Sequence, residues 1–101
     1  PRIALREDIV LSAEDVRDLE TRLARMDARS TEGPWTIRTL LIIRDRPRVL
    51  AAELAAACGR ERLPFKADVR KLKALGLTIS HEVGYELSPR GRALLKQISS
   101  G

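Results

Sequence analysis

The residues best able to do chemistry in this chain are four cations in one short stretch. Lys66, Arg70, Lys71 and Lys73 stand within KADVRKLK. Their chemistry is the binding of anions. An arginine guanidinium offers a planar fork of N–H donors that matches a phosphate or a guanine edge, and a lysine offers a mobile point charge. Arg60 and Arg62 precede them in a short polar turn. Asp68 is set among them, either to accept from a cytosine amino group or to pair with Lys71 three residues on. Catalysis is poorly supplied. The chain has one histidine, His81, and one cysteine, Cys58, most simply a small core residue. It has no glycine-rich phosphate loop and no Ser/His/Asp set in a recognisable context. Neither a Cys/His zinc site nor an intrachain disulfide can be assembled, so we expect no metal, no other cofactor and no enzyme activity.

Anion-binding side chains need a rigid support, and the surrounding pattern supplies one. Ala51 to Leu77 reads as two helices joined by a turn. The first is alanine-rich, turns Leu54, Ala51, Ala55 and Cys58 inward, and ends at Cys58-Gly59. The second opens at Pro64 and runs to Leu75-Gly76, held to a core by Phe65, Val69, Leu72 and Leu75. After Gly76 the period changes from 3.6 to 2. Leu77 and Ile79 alternate with Thr78 and Ser80, and Tyr85 and Leu87 flank Glu86 across a turn at Glu82-Val83-Gly84. That pattern predicts a β-hairpin. Ser88-Pro89 then caps and starts a last helix to about Ile98, with Leu94, Leu95 and Ile98 on one side.

Upstream, residues 3–11 are expected as a short strand or an extended arm. Ser12 is placed to cap a helix, with Asp15 three residues on in a variant of the capping box. Val16, Leu19, Leu23 and Met26 form one narrow apolar stripe on that helix. It either packs on its own domain or makes a dimer contact. Pro34 sits near the start of the next helix, whose Trp35, Ile37, Leu40, Leu41 and Ile43 mark it as buried. Pro47 stops that helix, and Arg48-Val49-Leu50 is expected as a two- or three-residue strand.

Composition limits the partners. At 101 residues, 44% hydrophobic and 33% charged, the chain suits one folded unit with a modest core. Residues 1–34 hold six Lys/Arg and eight Asp/Glu, a balance of −2; residues 35–101 hold thirteen and six, a balance of +7. The excess lies with the helix pair and suggests a polyanionic partner. Arg outnumbers Lys fifteen to four, a bias that GC-rich codons also produce, so charge alone does not decide for nucleic acid. The longest apolar runs, such as Leu40 to Ile43 and Leu54 to Cys58, are too short to span a membrane. No basic head precedes an apolar run near residue 1, so neither a secretory signal nor a membrane partner is expected, and a cytoplasmic location is.

Two stretches resemble a known family. RVLAAELAAACGRERLPFKADVRKLKALGL resembles the helix-turn-helix of bacterial winged-helix regulators. GYELSPRGRALL resembles the end of the wing and the following helix in MarR- and PadR-type transcriptional regulators. The resemblance covers Trp35 to about Ile98. It implies a mainly α (α+β) fold, a winged helix-turn-helix with a small antiparallel hairpin and an extra N-terminal helix. Residues 1–34 would form the arm and helix, and 35–101 the winged domain. It implies a homodimer bound to double-stranded DNA, with helix 64–75 in the major groove. Carried onto this sequence, Lys66, Ala67, Arg70, Lys71 and Ala74 would lie on or beside the outward face, with Lys73 further along. Arg60 and Arg62 would meet phosphates. The hairpin is poor in positive charge, and its Glu82 would repel phosphate, so its contribution would come through His81 or through Arg90 and Arg92 after it. The same fold also serves as a protein-interaction adaptor or binds structured RNA. No small-molecule effector can be named.

Overall fold

Ser12 starts the first helix as its spacing predicts. The computed structural model describes residues 10–31 and 33–100. In it the Ser12 hydroxyl accepts from the Asp15 amide at 3.0 Å and opens helix α1, Ala13–Arg29. The arm or strand expected over 3–11 lies outside the described residues, apart from Val10 and Leu11. Leu11 is buried, and Gln97 grips it on both sides. Its amide donates to Gln97 Oε1 at 2.8 Å, and Gln97 Nε2 donates to its carbonyl at 3.0 Å.

Helix α2, Thr36–Asp45, is capped from a distance. Its own N-cap position is Trp35, which offers no capping side chain. Asp27 of α1 supplies the acceptor. Asp27 Oδ1 takes the amides of Trp35 and Thr36 at 2.8 and 3.0 Å, and Oδ2 takes the Thr36 hydroxyl at 2.9 Å. A carboxylate at a helix N-terminus satisfies orphan donors and meets the positive end of the helix dipole. Asp27→Ala should therefore cost about 2 kcal/mol, measured by urea unfolding, with Asp27→Asn recovering part of it.

The helix pair follows. Helix α3 spans Ala51–Ala57 and helix α4 spans Arg62–Ala74. Thus α4 begins two residues before Pro64, which occupies the third helical position. The missing proline N–H is harmless there, because the first four helical amides lack partners in any case. Both helices end in the same motif. Gly59 and Gly76, at φ 70° and 79°, stand just past the C-caps. Gly59 N donates to Ala56 O and Arg60 N to Ala55 O; Gly76 N donates to Lys73 O and Leu77 N to Leu72 O. These are paired Schellman bonds, and in α4 the two residues they join, Leu72 and Leu77, are both buried in the core.

The hairpin consists of β1, Thr78–Ser80, and β2, Tyr85–Leu87, antiparallel with Thr78 opposite Leu87, Ile79 opposite Glu86 and Ser80 opposite Tyr85. The facing differs from the apolar alternation. Leu77 belongs to the end of α4, so the strand starts at Thr78. Thr78 and Leu87 turn inward, and Ile79 is exposed. The expected strand at Arg48–Leu50 does not form. Arg48 adopts φ 62°, and one bond, Arg48 N to Tyr85 O at 2.8 Å, ties this segment to the hairpin. Gly84 explains the close approach: a β-carbon there would stand 2.5 Å from Val49 N and 2.6 Å from the Arg48 carbonyl carbon.

Helix α5, Pro89–Ser100, closes the fold. Ser88 is its N-cap, with Oγ accepting from Gly91 N at 3.0 Å. Among the described residues the architecture is five helices and one two-stranded antiparallel sheet. Helix α1 packs on α2 and α5, α3 on α4, and α4 on β1. One core runs from Leu11, Leu19 and Leu23 through Trp35, Leu40 and Ile43 to Leu54, Phe65, Leu72 and Leu94. Leu11 and helix α1 thus share one core with the rest. Leu19 and Leu23 are 1% and 3% exposed within this single chain, which leaves neither side chain surface to offer a second copy. Val16 and Met26 pack at the margin of the same core. No helix among the described residues is long and apolar enough to cross a membrane.

Candidate polyanion-binding groove

Helix α4, the hairpin and the start of α3 enclose an open groove of about 530 Å³. One wall is a row of cations from α4: Arg62, Lys66, Arg70 and Lys73. Their spacings of four, four and three residues keep them on one stripe of the helix. The opposite wall is Ser80, His81, Glu82, Gly84 and Tyr85, and Leu50, Ala51 and Ala52 close one side. Glu82 is the one carboxylate among the lining residues, so the groove is electropositive. Arg70 lies close enough to Tyr85 to act on its phenol. Burial raises the Tyr85 pKa above its usual value, and the Arg70 charge offsets part of that rise.

Five of the expected contact residues, Arg62, Lys66, Arg70, Lys73 and His81, are therefore brought together. Ala67 is exposed on α4 but outside the groove lining. Three others go elsewhere. Arg60 is no free phosphate contact. The Schellman turn at Gly59 delivers it to Asp68, and its guanidinium donates to Asp68 Oδ2 at 2.5 Å with both side chains largely buried. Asp68 accordingly faces inward and has no route to a base; it latches the turn onto α4. The expected Asp68–Lys71 pair is present at 3.6 Å. Lys71 itself stands over the Trp35 ring, 5.9 Å from its centroid, on another side of α4 from the row. At 100° per residue it lies about 145° from the mean direction of the other four cations, so its departure was readable from spacing. Arg90 is half-buried beside Gly76 and outside the groove lining.

Comparison of the chain with family models, curated proteins and solved structures returns no match.

Sequence reasoning missed Glu86. It stands on β2 with His81 Nε2 2.8 Å from Oε1, Arg48 Nη2 4.0 Å from Oε1 and Arg92 Nη1 4.0 Å from Oε2. The His81 hydrogen bond does most to hold the Glu86 pKa below its ordinary value. Partial burial opposes this, and attraction to His81, Arg48 and Arg92 adds to the lowering. With the carboxylate ionised, Nε2 of His81 must carry the proton it shares. The ring is thus fixed on the rim of the groove. The available signal was the His81–Glu86 spacing across a tight turn, which puts both residues near one end of a hairpin.

Proposed function

We propose that this chain is a sequence-specific double-stranded DNA-binding protein of the winged helix-turn-helix type, acting as a transcriptional regulator. One observation carries the reading: four cations from one helix stand in line along an open groove. From Arg62 to Lys73 the row is about 16 Å long at 1.5 Å per residue. A row of that length suits a linear polymer of phosphates better than a single small anion. An α-helix is about as wide as the B-DNA major groove, whereas the A-form RNA major groove is too deep and narrow to admit it. That favours duplex DNA over double-stranded RNA.

The roles divide by direction on α4. Leu63, Ala67, Arg70 and Ala74 are exposed and point most nearly away from the core; Leu63, Ala67 and Arg70, on the earlier turns, would enter the major groove. Arg70 would read a guanine edge, and the apolar pair would meet thymine methyl groups. Arg62, Lys66 and Lys73, on the flank toward the hairpin, would hold one phosphate backbone. A two-fold complex with helices about 34–36 Å apart would need a dimer contact other than Leu19 and Leu23.

Mobility shifts with duplex pools over a salt series test the proposal. The three phosphate contacts of Arg62, Lys66 and Lys73 correspond to a slope of about −2.7 for log K against log[salt]. Absence of binding, or affinity indifferent to salt, would refute it. Arg70→Ala should cost about 1–3 kcal/mol and relax selection at one position. An equal loss on every sequence would reassign Arg70 to a phosphate. A protein-binding adaptor is the second reading, favoured by exposed Leu50 and Val83 at and beside the groove. Stoichiometric capture of one protein, with no shift of duplex, would select it.

A further inference from the structure

The hairpin from Thr78 to Leu87 contains no lysine and no arginine. Yet two arginines from other elements flank it. Arg48 comes from the segment between α2 and α3, and Arg92 from the first turns of α5. Each has a guanidinium nitrogen 4.0 Å from one Glu86 oxygen, with side chains 64% and 44% exposed. At that separation an ion pair forms without a hydrogen bond, so most guanidinium N–H groups stay open to another acceptor. Arg92 is steadied by one further bond, Nη1 to the Leu87 carbonyl at 3.1 Å.

The main chain fixes both arginines to the hairpin. The Arg48 amide donates to Tyr85 O, and Gly84 rests against the Arg48–Val49 backbone. Arg92 follows Ser88, whose amide donates to Leu77 O just before β1, and its own amide donates to Ser88 O at 2.9 Å. The cluster is continuous with the groove. His81 lines the groove and also bonds Glu86, while Leu50 lines it two residues after Arg48. Two arginines about a single carboxylate leave the cluster positive.

We infer that Arg48 and Arg92 form a second anion-contact surface beside the hairpin, and that a DNA backbone leaving the α4 groove past His81 continues onto them. The inference rests on the duplex-binding reading above. Glu86 acts there as a positioning residue that gathers the cations a bare hairpin lacks. It leaves a net positive face, because one carboxylate cannot balance both guanidiniums.

Duplex binding measured from 0.1 to 1 M salt tests this with Arg48→Gln, Arg92→Gln and the double variant. Glutamine keeps a polar stem at these exposed sites, and circular dichroism would confirm the fold. Arg22→Gln on α1, a helix that packs on α2 and α5, controls for loss of net charge. Each hairpin variant should flatten the slope of log K against log[salt] by about 0.9, and the double variant by about 1.8. That amounts to roughly eightfold weaker binding per arginine at 0.1 M relative to 1 M. A double variant with the wild-type slope, while Arg70→Ala still weakens binding, would overturn the second surface and leave the groove standing. Equal flattening by Arg22→Gln would overturn it too, as an effect of overall charge. If the wild-type chain binds no duplex, both readings fall.

Discussion

A chain carrying Leu19→Glu and Leu23→Glu is expected to lose its fold. Both leucines are almost wholly buried, among a core that also holds Trp35, Leu40 and Leu94. Each substitution removes a buried apolar side chain and drives a carboxylate into its place. Removing a buried leucine costs about 2–5 kcal/mol, and burying an unpaired polar group adds about 1–3 kcal/mol. The two sites are one helical turn apart and will not add in full. Even so, the loss rivals the 5–15 kcal/mol that holds a typical domain together. Circular dichroism should show the loss of helix, and gel filtration an expanded chain. The introduced carboxylates would have their pKa raised in any folded state by desolvation, so the damage is largest at neutral pH. It should ease as pH falls from the raised folded-state value to the usual carboxylate value, below which both states bind the proton and nothing further changes. A dimer contact on the α1 stripe predicts the opposite outcome, a folded monomer. Obtaining one would remove α1 from the core.

What the sequence shows well is local. The glycines at 59 and 76 mark helix ends because an αL residue after a C-cap is a short-range requirement. Ser12 and Ser88 mark helix starts for the same kind of reason. The inward faces of α4 and α5 follow from periodicity alone. What it hides is where long polar side chains go. Asp27 reads as one more acid on a charged helix, and only the packing of α1 on α2 makes it the cap of α2. Arg60 belongs to a turn that looks exposed, yet the chain direction set by Gly59 carries it onto Asp68. Ile79 follows an alternation that begins one residue too early, because Leu77 completes the cap of α4. The groove was partly legible for this reason. Its α4 wall is a helical stripe, but its far wall depends on how Gly84 lets the hairpin lie against Val49.

Gly91→Ala is the second large effect, and two rules disagree about its sign. Gly91 lies in the first turn of α5, where helix propensity alone favours alanine by up to about 1 kcal/mol. Geometry opposes it. A β-carbon at Gly91 would fall inside contact distance of the Leu77 carbonyl oxygen and 3.1 Å from its carbonyl carbon. The obstacle is backbone, which cannot swing aside as a side-chain tip can. That carbonyl also accepts from Ser88 N at 3.0 Å, and Ser88 Oγ donates to Gly76 O while accepting from Gly91 N. Lifting α5 to make room would strain all three bonds at the junction of α4, β1 and α5. Overpacking costs about 1–3 kcal/mol and each weakened hydrogen bond about 1 kcal/mol, so a net loss of about 3 kcal/mol is expected. Thermal unfolding should fall by about 15 °C. The same displacement would move Arg92 relative to Glu86, so the salt slope of duplex binding should flatten even where the variant remains folded. A variant as stable as the wild type would mean that α5 seats on the hairpin loosely enough to shift without cost. The position of Arg92 beside Glu86 would then have to be held by the Leu87 carbonyl alone.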